Sequence, residues 1–118
     1  MSFPRVLLVE DDPDWMDIYR TNLRSDKYEL VEATSVEQAL AQLHERDFAV
    51  VLTDLSLPSS ISDYGGFDVL SETRRINTAT QVIIITAFGS RSAAIQATQQ
   101  GALDYVTKPV DFRSLCTS

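Results

Sequence analysis

Hydrophobic and polar positions follow two rhythms along this chain, and the two take turns. Short apolar runs rich in β-branched residues fall at residues 6–9, 49–53 and 81–86, the pattern of strands covered on both faces, as in the middle of a parallel sheet. Residues 28–33 and 103–107 mix apolar positions with Glu29, Glu32 and Asp104. Strands of that kind meet some water, so these two are expected at the sheet's edges. Between the runs, residues 13–25, 36–46, 67–76 and 91–100 place apolar side chains near helical spacing. Ser35 with Gln38 three residues on forms a capping box, Pro13 stands where a helix starts, and Gly101 stands where a glycine closes one.

The order is βα, repeated. Short connections between such units impose right-handed crossovers, so the expected fold class is α/β: one doubly wound, open, five-stranded parallel sheet with helices on both faces. Asp111 is placed to cap a fifth helix whose buried side begins with Phe112 and Leu115. That helix is short against the usual length of about 11 to 12 residues, and we expect residues 1–118 to be the N-terminal part of a longer protein.

Composition narrows the picture further. With 118 residues, 44% of them hydrophobic, the chain suits a single domain. Ten basic residues against 17 acidic ones give a formal charge of -7, and no basic cluster is present. A nucleic-acid or anionic membrane surface is therefore not expected. No apolar stretch approaches the roughly 20 residues of a membrane-spanning helix. The single cysteine, Cys116, has no partner for an internal disulfide, which fits an inert thiol in a reducing cytoplasm. His44, the only histidine, sits among polar residues and is expected on a solvated helix face, whereas Trp15, Met16 and Tyr19 are expected in the core or at its margin.

In an open parallel sheet the carboxyl ends of the strands share one edge, and ligands bind there. Those ends carry Glu10, Asp11 and Asp12 after the first strand, Asp54 after the third, Thr86 after the fourth, and Lys108 with Pro109 after the fifth. Carboxylate oxygens are what Mg²⁺ selects, Lys108 adds positive charge and Thr86 a hydroxyl donor. The set suits phosphoryl transfer, in which placement and charge compensation do most of the catalysis, with Asp54 as the central nucleophile. Asp12 differs from its neighbours. It precedes Pro13 and is expected to cap the first helix, with Asp14 favoured by the same helix dipole.

Four stretches, VEDD from Val9, LTDLSLP from Leu52, ITAFGS from Ile85 and GALDYVTKP from Gly101, together resemble the receiver domains of two-component response regulators across nearly the whole chain. The resemblance implies a flavodoxin-like sheet of order 2-1-3-4-5. It implies that Asp54 accepts a phosphoryl group from a histidine on a sensor kinase or histidine phosphotransfer protein. Mg²⁺ would be held by Asp11, Asp54 and the Ser56 backbone carbonyl, with Glu10 acting through a bound water. Lys108 would contact the phosphoryl oxygens, with the Lys108–Pro109 peptide cis. Thr86 would bond the arriving phosphate and Tyr105 swing inward behind it, altering the surface of the fourth helix, fifth strand and fifth helix. The signal would pass to a C-terminal output domain or a separate effector, and that surface could support a homodimer.

Two departures stand out. The connection SSISDYG, between Pro58 and Gly66, is roughly four residues longer than receivers carry there, and its Asp63 is a candidate to approach the cation or, more simply, to be solvated. Phe88 lies two residues after Thr86, where bulk is expected to impede the water that hydrolyses the phosphate. Two rivals bracket the reading: a pseudo-receiver that signals without phosphate, which should lack an acid or the lysine, and a phosphatase of the haloacid-dehalogenase type, which should carry a second Asp at the position of Ser56. The acids and the lysine are all present, and the second Asp is not. The domain is thus expected to be a phosphoacceptor and not an enzyme.

Overall fold

The computed structural model describes residues 3–87 and 90–113. Five strands, β1 (Arg5–Val9), β2 (Glu29–Ala33), β3 (Val50–Asp54), β4 (Gln81–Thr86) and β5 (Asp104–Thr107), alternate with four helices, α1 (Pro13–Leu23), α2 (Val36–Glu45), α3 (Gly65–Ile76) and α4 (Arg91–Gln99). The strands form one parallel sheet in the order β2-β1-β3-β4-β5. Phe112 and Arg113 begin a helical turn after β5, while Leu115, Cys116 and Phe88 lie outside the described residues.

The sheet's two faces divide the core by strand alternation. Leu7, Val9, Val51, Val82 and Ile84 point to the side covered by α2, α3 and α4, where they meet Val36, Ala39, Leu43, Val69, Leu70, Ala93 and Ala97. Leu8, Leu52, Ile83 and Ile85 point the other way, against Met16, Tyr19 and Leu23 of α1 and against Val110. The central strands are buried almost throughout, whereas β2 and β5 carry exposed positions, as their mixed sequences indicate.

Local signals place the helix ends with small revisions. The Asp12 carboxylate accepts the Asp14 N–H at 2.9 Å and starts α1, with Pro13 as its first residue. Ser35 accepts the Gln38 N–H at 3.1 Å, but the Gln38 amide reaches one residue further back than a capping box requires and accepts from the Thr34 N–H. At the end of α4, Gly101 takes φ 97°. The Gly101 N–H bonds the Thr98 carbonyl and the Ala102 N–H the Ala97 carbonyl, the paired closure a left-handed glycine permits. Helix α3 begins two residues before the apolar periodicity does, at Gly65. The cause is contact with the chain leaving β3: Gly65 and Gly66 donate to the Leu57 and Leu55 carbonyls, and a Cβ on Gly66 would lie 2.5 Å from the Asp54 carbonyl oxygen.

Candidate functional site

The parallel sheet brings the ends of β1 and β3 side by side, Val9 pairing with Thr53. One residue beyond these partners stand Glu10 and Asp54, which are 1% and 6% exposed. Asp11 is exposed beside them. Each of the three acids offers an oxygen within 4.8 Å of the others. Asp12 is not in this group, because its carboxylate is turned to the α1 cap. Neither is Asp63, which lines a separate cavity between α3 and α4.

Lys108 arrives from β5, its N–H held at 2.7 Å by the Thr86 carbonyl, and the Lys108–Pro109 peptide is cis. Its ammonium lies 2.8 Å from Glu10 Oε1 and 3.4 Å from Asp54 Oδ1, largely shut off from solvent. Glu10 Oε2 in turn accepts the Asp12 N–H at 3.2 Å. Burial raises both carboxyls above their ordinary values. For Glu10 the Lys108 hydrogen bond opposes the rise and the Asp54 charge adds to it. For Asp54 the Lys108 charge opposes it and the Asp11 charge adds to it. One ammonium thus falls short of neutralising the acids around it, a condition that favours a further cation. Three hard oxygen donors, one of them turned to solvent, fit a divalent cation that keeps part of its water.

The remaining candidates surround this centre. Thr86, at the end of β4, is buried, one step past the Asp54–Ile85 pairing. Ser56 is exposed two residues beyond Asp54, and its N–H faces the Asp54 carboxylate. Tyr105 is half-buried on β5, packed against the core on the α2–α3–α4 side. The structure therefore brings Glu10, Asp11, Asp54 and Lys108 together directly, with Thr86 and Ser56 flanking them and Tyr105 at the edge.

Trp15 is a site residue that the apolar pattern hides. Its ring lies 4.5 Å from the Lys108 ammonium and continues through tilted and edge-on contacts to Tyr19 and Phe112. The usable signal is spacing: Trp15 is four residues after Asp11 and so sits on the first turn of α1, above the acids. Tyr19 belongs to the same neighbourhood. Its buried hydroxyl has no hydrogen-bond partner among the described residues, and burial, reinforced by the Glu10 and Asp54 charges, raises its pKa far above the ordinary phenol value.

Comparison with known proteins bears on the family and the fold. Residues 6–118 match the family model of the response regulator receiver domain. Over 110 residues the chain is 38% identical to the transcriptional regulatory protein ZraR of Escherichia coli O157:H7, covering 93% of this chain and 24% of that protein. Over 115 residues it is 36% identical to the response regulator protein PilR of Pseudomonas aeruginosa, covering 98% and 25%. The chain thus spans about a quarter of the length of the curated relatives it matches. Among solved structures, a CheY-like receiver domain protein from Methanospirillum hungatei superposes with a TM-score of 0.86 at 27% identity, covering 98% of this chain and 90% of that one. A receiver domain protein from Clostridium thermocellum gives 0.85 at 30% identity, covering 98% and 90%. This chain belongs to the response regulator receiver domain family, the phosphorylation-activated switches of two-component signalling.

Proposed function

We propose that Asp54 is the phosphoacceptor and that the acids, Lys108 and Thr86 around it form the machinery that loads and reads the phosphate. The observation that carries this is the Lys108 ammonium shared between Glu10 at 2.8 Å and Asp54 at 3.4 Å beneath an exposed third acid. That arrangement holds a nucleophilic carboxylate next to a cation that can follow the incoming phosphoryl oxygens. An Asp54 oxygen attacks the phosphorus of a phosphohistidine, the P–N bond breaks as the P–O bond forms, and the freed imidazole takes up a proton. Charge on the three equatorial oxygens is met by Lys108 and by the Thr86 hydroxyl. Mg²⁺, when bound, would supply further compensation of the charge on the phosphoryl oxygens. Asp11, Asp54 and the Ser56 carbonyl would hold it. Glu10 would act through a bound water, because its two oxygens are already engaged by Lys108 and the Asp12 N–H.

The phosphate would then be read on β5 and its neighbours, where Tyr105 is half-buried and where Ile95 and Leu103 are exposed. This surface would face an output domain C-terminal to this segment, a separate effector, or a second copy of the chain. The phosphodonor is a sensor histidine kinase or a histidine phosphotransfer protein, which places the domain in the cytoplasm. The domain is spent and reset and is not a turnover enzyme. Incubation with acetyl phosphate and Mg²⁺ should add one phosphoryl mass to wild type and none to Asp54→Asn, and equal labelling of the two would reject the assignment. Chelating the metal should abolish labelling.

A further inference from the structure

The Lys108 ammonium sits between two acids and must later meet a phosphate, so what holds it in place matters as much as what it touches. Lysine is a point charge on a flexible four-carbon stem, and its order has to be imposed by its surroundings. Only 7% of this side chain meets solvent. Glu10 Oε1 stands 2.8 Å from the ammonium and Asp54 Oδ1 3.4 Å from it. The indole of Trp15 is the third neighbour, with the ammonium over its ring at 4.5 Å. An aromatic face attracts a cation without neutralising it.

Trp15 is built into the same turn as the acids. Asp12 caps α1 through the Asp14 N–H at 2.9 Å, and the Asp12 N–H itself donates to Glu10 Oε2 at 3.2 Å. Pro13 fixes the first residue of the helix, and Trp15 follows two residues on. The start of α1 therefore sets the Glu10 carboxylate and the Trp15 ring in one frame around the ammonium.

Behind the indole the packing continues. Tyr19, one turn along α1 and 1% exposed, lies 6.0 Å from Trp15, and Phe112 meets Tyr19 edge-on at 6.0 Å. Because the Tyr19 hydroxyl has no hydrogen-bond partner among the described residues, packing against these rings and the apolar core is what fixes it. Phe112 is four residues after Lys108, and Val110 between them is buried on the same side of the sheet. The chain leaving β5 is thus tied to α1 twice, by its ammonium at Trp15 and by its phenyl ring at Tyr19.

We propose that Trp15 is a positioning residue for phosphoryl transfer: backed by Tyr19 and Phe112, its indole face keeps the Lys108 ammonium between Glu10 and Asp54, within reach of the phosphoryl oxygens. The inference rests on the reading of Asp54 as the phosphoacceptor. Charge compensation depends on a cation already held where the equatorial oxygens arrive, and a loosened ammonium gives up that placement.

The first arm of the test needs no phosphate. Lys108 and the exposed Lys27 are the two lysines of the chain, so a ¹³C-lysine-labelled sample carries its own reference. The methylene next to the Lys108 ammonium should resonate upfield of its Lys27 counterpart, because the indole ring shields it, and most of that difference should vanish in Trp15→Leu. The second arm times labelling by acetyl phosphate and Mg²⁺. Trp15→Leu should slow it about two- to thirtyfold, Trp15→Phe should recover part of the loss, and Phe112→Leu should show a smaller loss. In a Lys108→Met background Trp15→Leu should change nothing further, since the group it positions is gone. Should Lys108→Met label too slowly to time, the Trp15→Phe rescue and the lysine spectrum decide. Equal slowing by Trp15→Leu with and without Lys108, or Lys108 signals that coincide with those of Lys27, overturns the proposal and leaves Trp15 a packing residue only. A wild type that does not label strikes the reading of Asp54 instead, and the lysine spectrum still decides whether the indole seats the ammonium.

Discussion

Glu10, Asp54 and Lys108 are held together at a cost, because burial opposes the charge of both carboxylates. Because burial raises the Asp54 carboxyl above its ordinary value, the charged form is less comfortable in the fold than in the unfolded chain. For an acid raised in this way, stability is greatest below the unfolded value and is lost as pH climbs through the folded one. In metal-free buffer, Asp54→Asn should therefore melt higher than wild type at pH 7, and the gap should close as pH falls toward the ordinary carboxylate range. Thermal melts in chelator across that range check this, and a variant less stable at pH 7 would show that Lys108 already compensates Asp54 fully. Trp15 tests the same balance from the cation's side. An ammonium over an indole face gains about 0.5 to 2 kcal/mol, so Trp15→Leu should slow phosphorylation by acetyl phosphate about two- to thirtyfold by loosening Lys108. Stopped-flow mass analysis measures it. The acids and Lys108 were legible as residue types at strand ends. The role of Trp15 was not, because a tryptophan at helical spacing reads equally as core until the ring is seen over the ammonium.

Among the elements, the connection from β3 to α3 ties fold to site most tightly. Gly66 lets the first turn of α3 rest on the backbone that carries Asp54; a Cβ there would meet the Asp54 carbonyl oxygen at 2.5 Å and Leu55 Cα at 2.7 Å, neither of which is a flexible tip. Gly66→Ala should destabilise the domain by roughly 1 to 3 kcal/mol, as overpacking does. It should also lower the phosphorylation rate, because Asp54 moves with its backbone. Urea unfolding midpoints read the first effect and acetyl phosphate labelling the second. The same contact explains why the periodicity placed the start of α3 at Phe67 and the structure places it at Gly65: hydrophobic spacing cannot register a helix turn built from residues without side chains. The strands and the other helices were legible because their burial is one-sided or complete, and each burial pattern has its own period. His44 shows the opposite limit. It is solvated, as its polar setting indicates, yet it also bonds Glu72 across to α3 at 2.8 Å, a long-range pairing that no local pattern encodes.

At the scale of the whole molecule, the sheet separates two tasks. One edge gathers the carboxyl ends of the strands into the acid and lysine centre, and the flank of α4 and β5, with a half-buried Tyr105 and the exposed Ile95 and Leu103, is the surface that the proposed function gives to a partner. Buried contacts of α4 with the core come from only two small residues, Ala93 and Ala97, so this helix is lightly anchored and well suited to respond to a charge change at the neighbouring end of β4. Everything in that account depends on a covalent phosphate at one carboxylate. The most direct measurement is chemical trapping: the chain is labelled with acetyl phosphate and Mg²⁺, the acyl phosphate is reduced with borohydride, and the modified residue is located by peptide mass spectrometry. The account predicts homoserine at position 54 and at no other acid. Homoserine at Asp11, or no reduced residue in a sample whose intact mass shows the phosphoryl group, would contradict it.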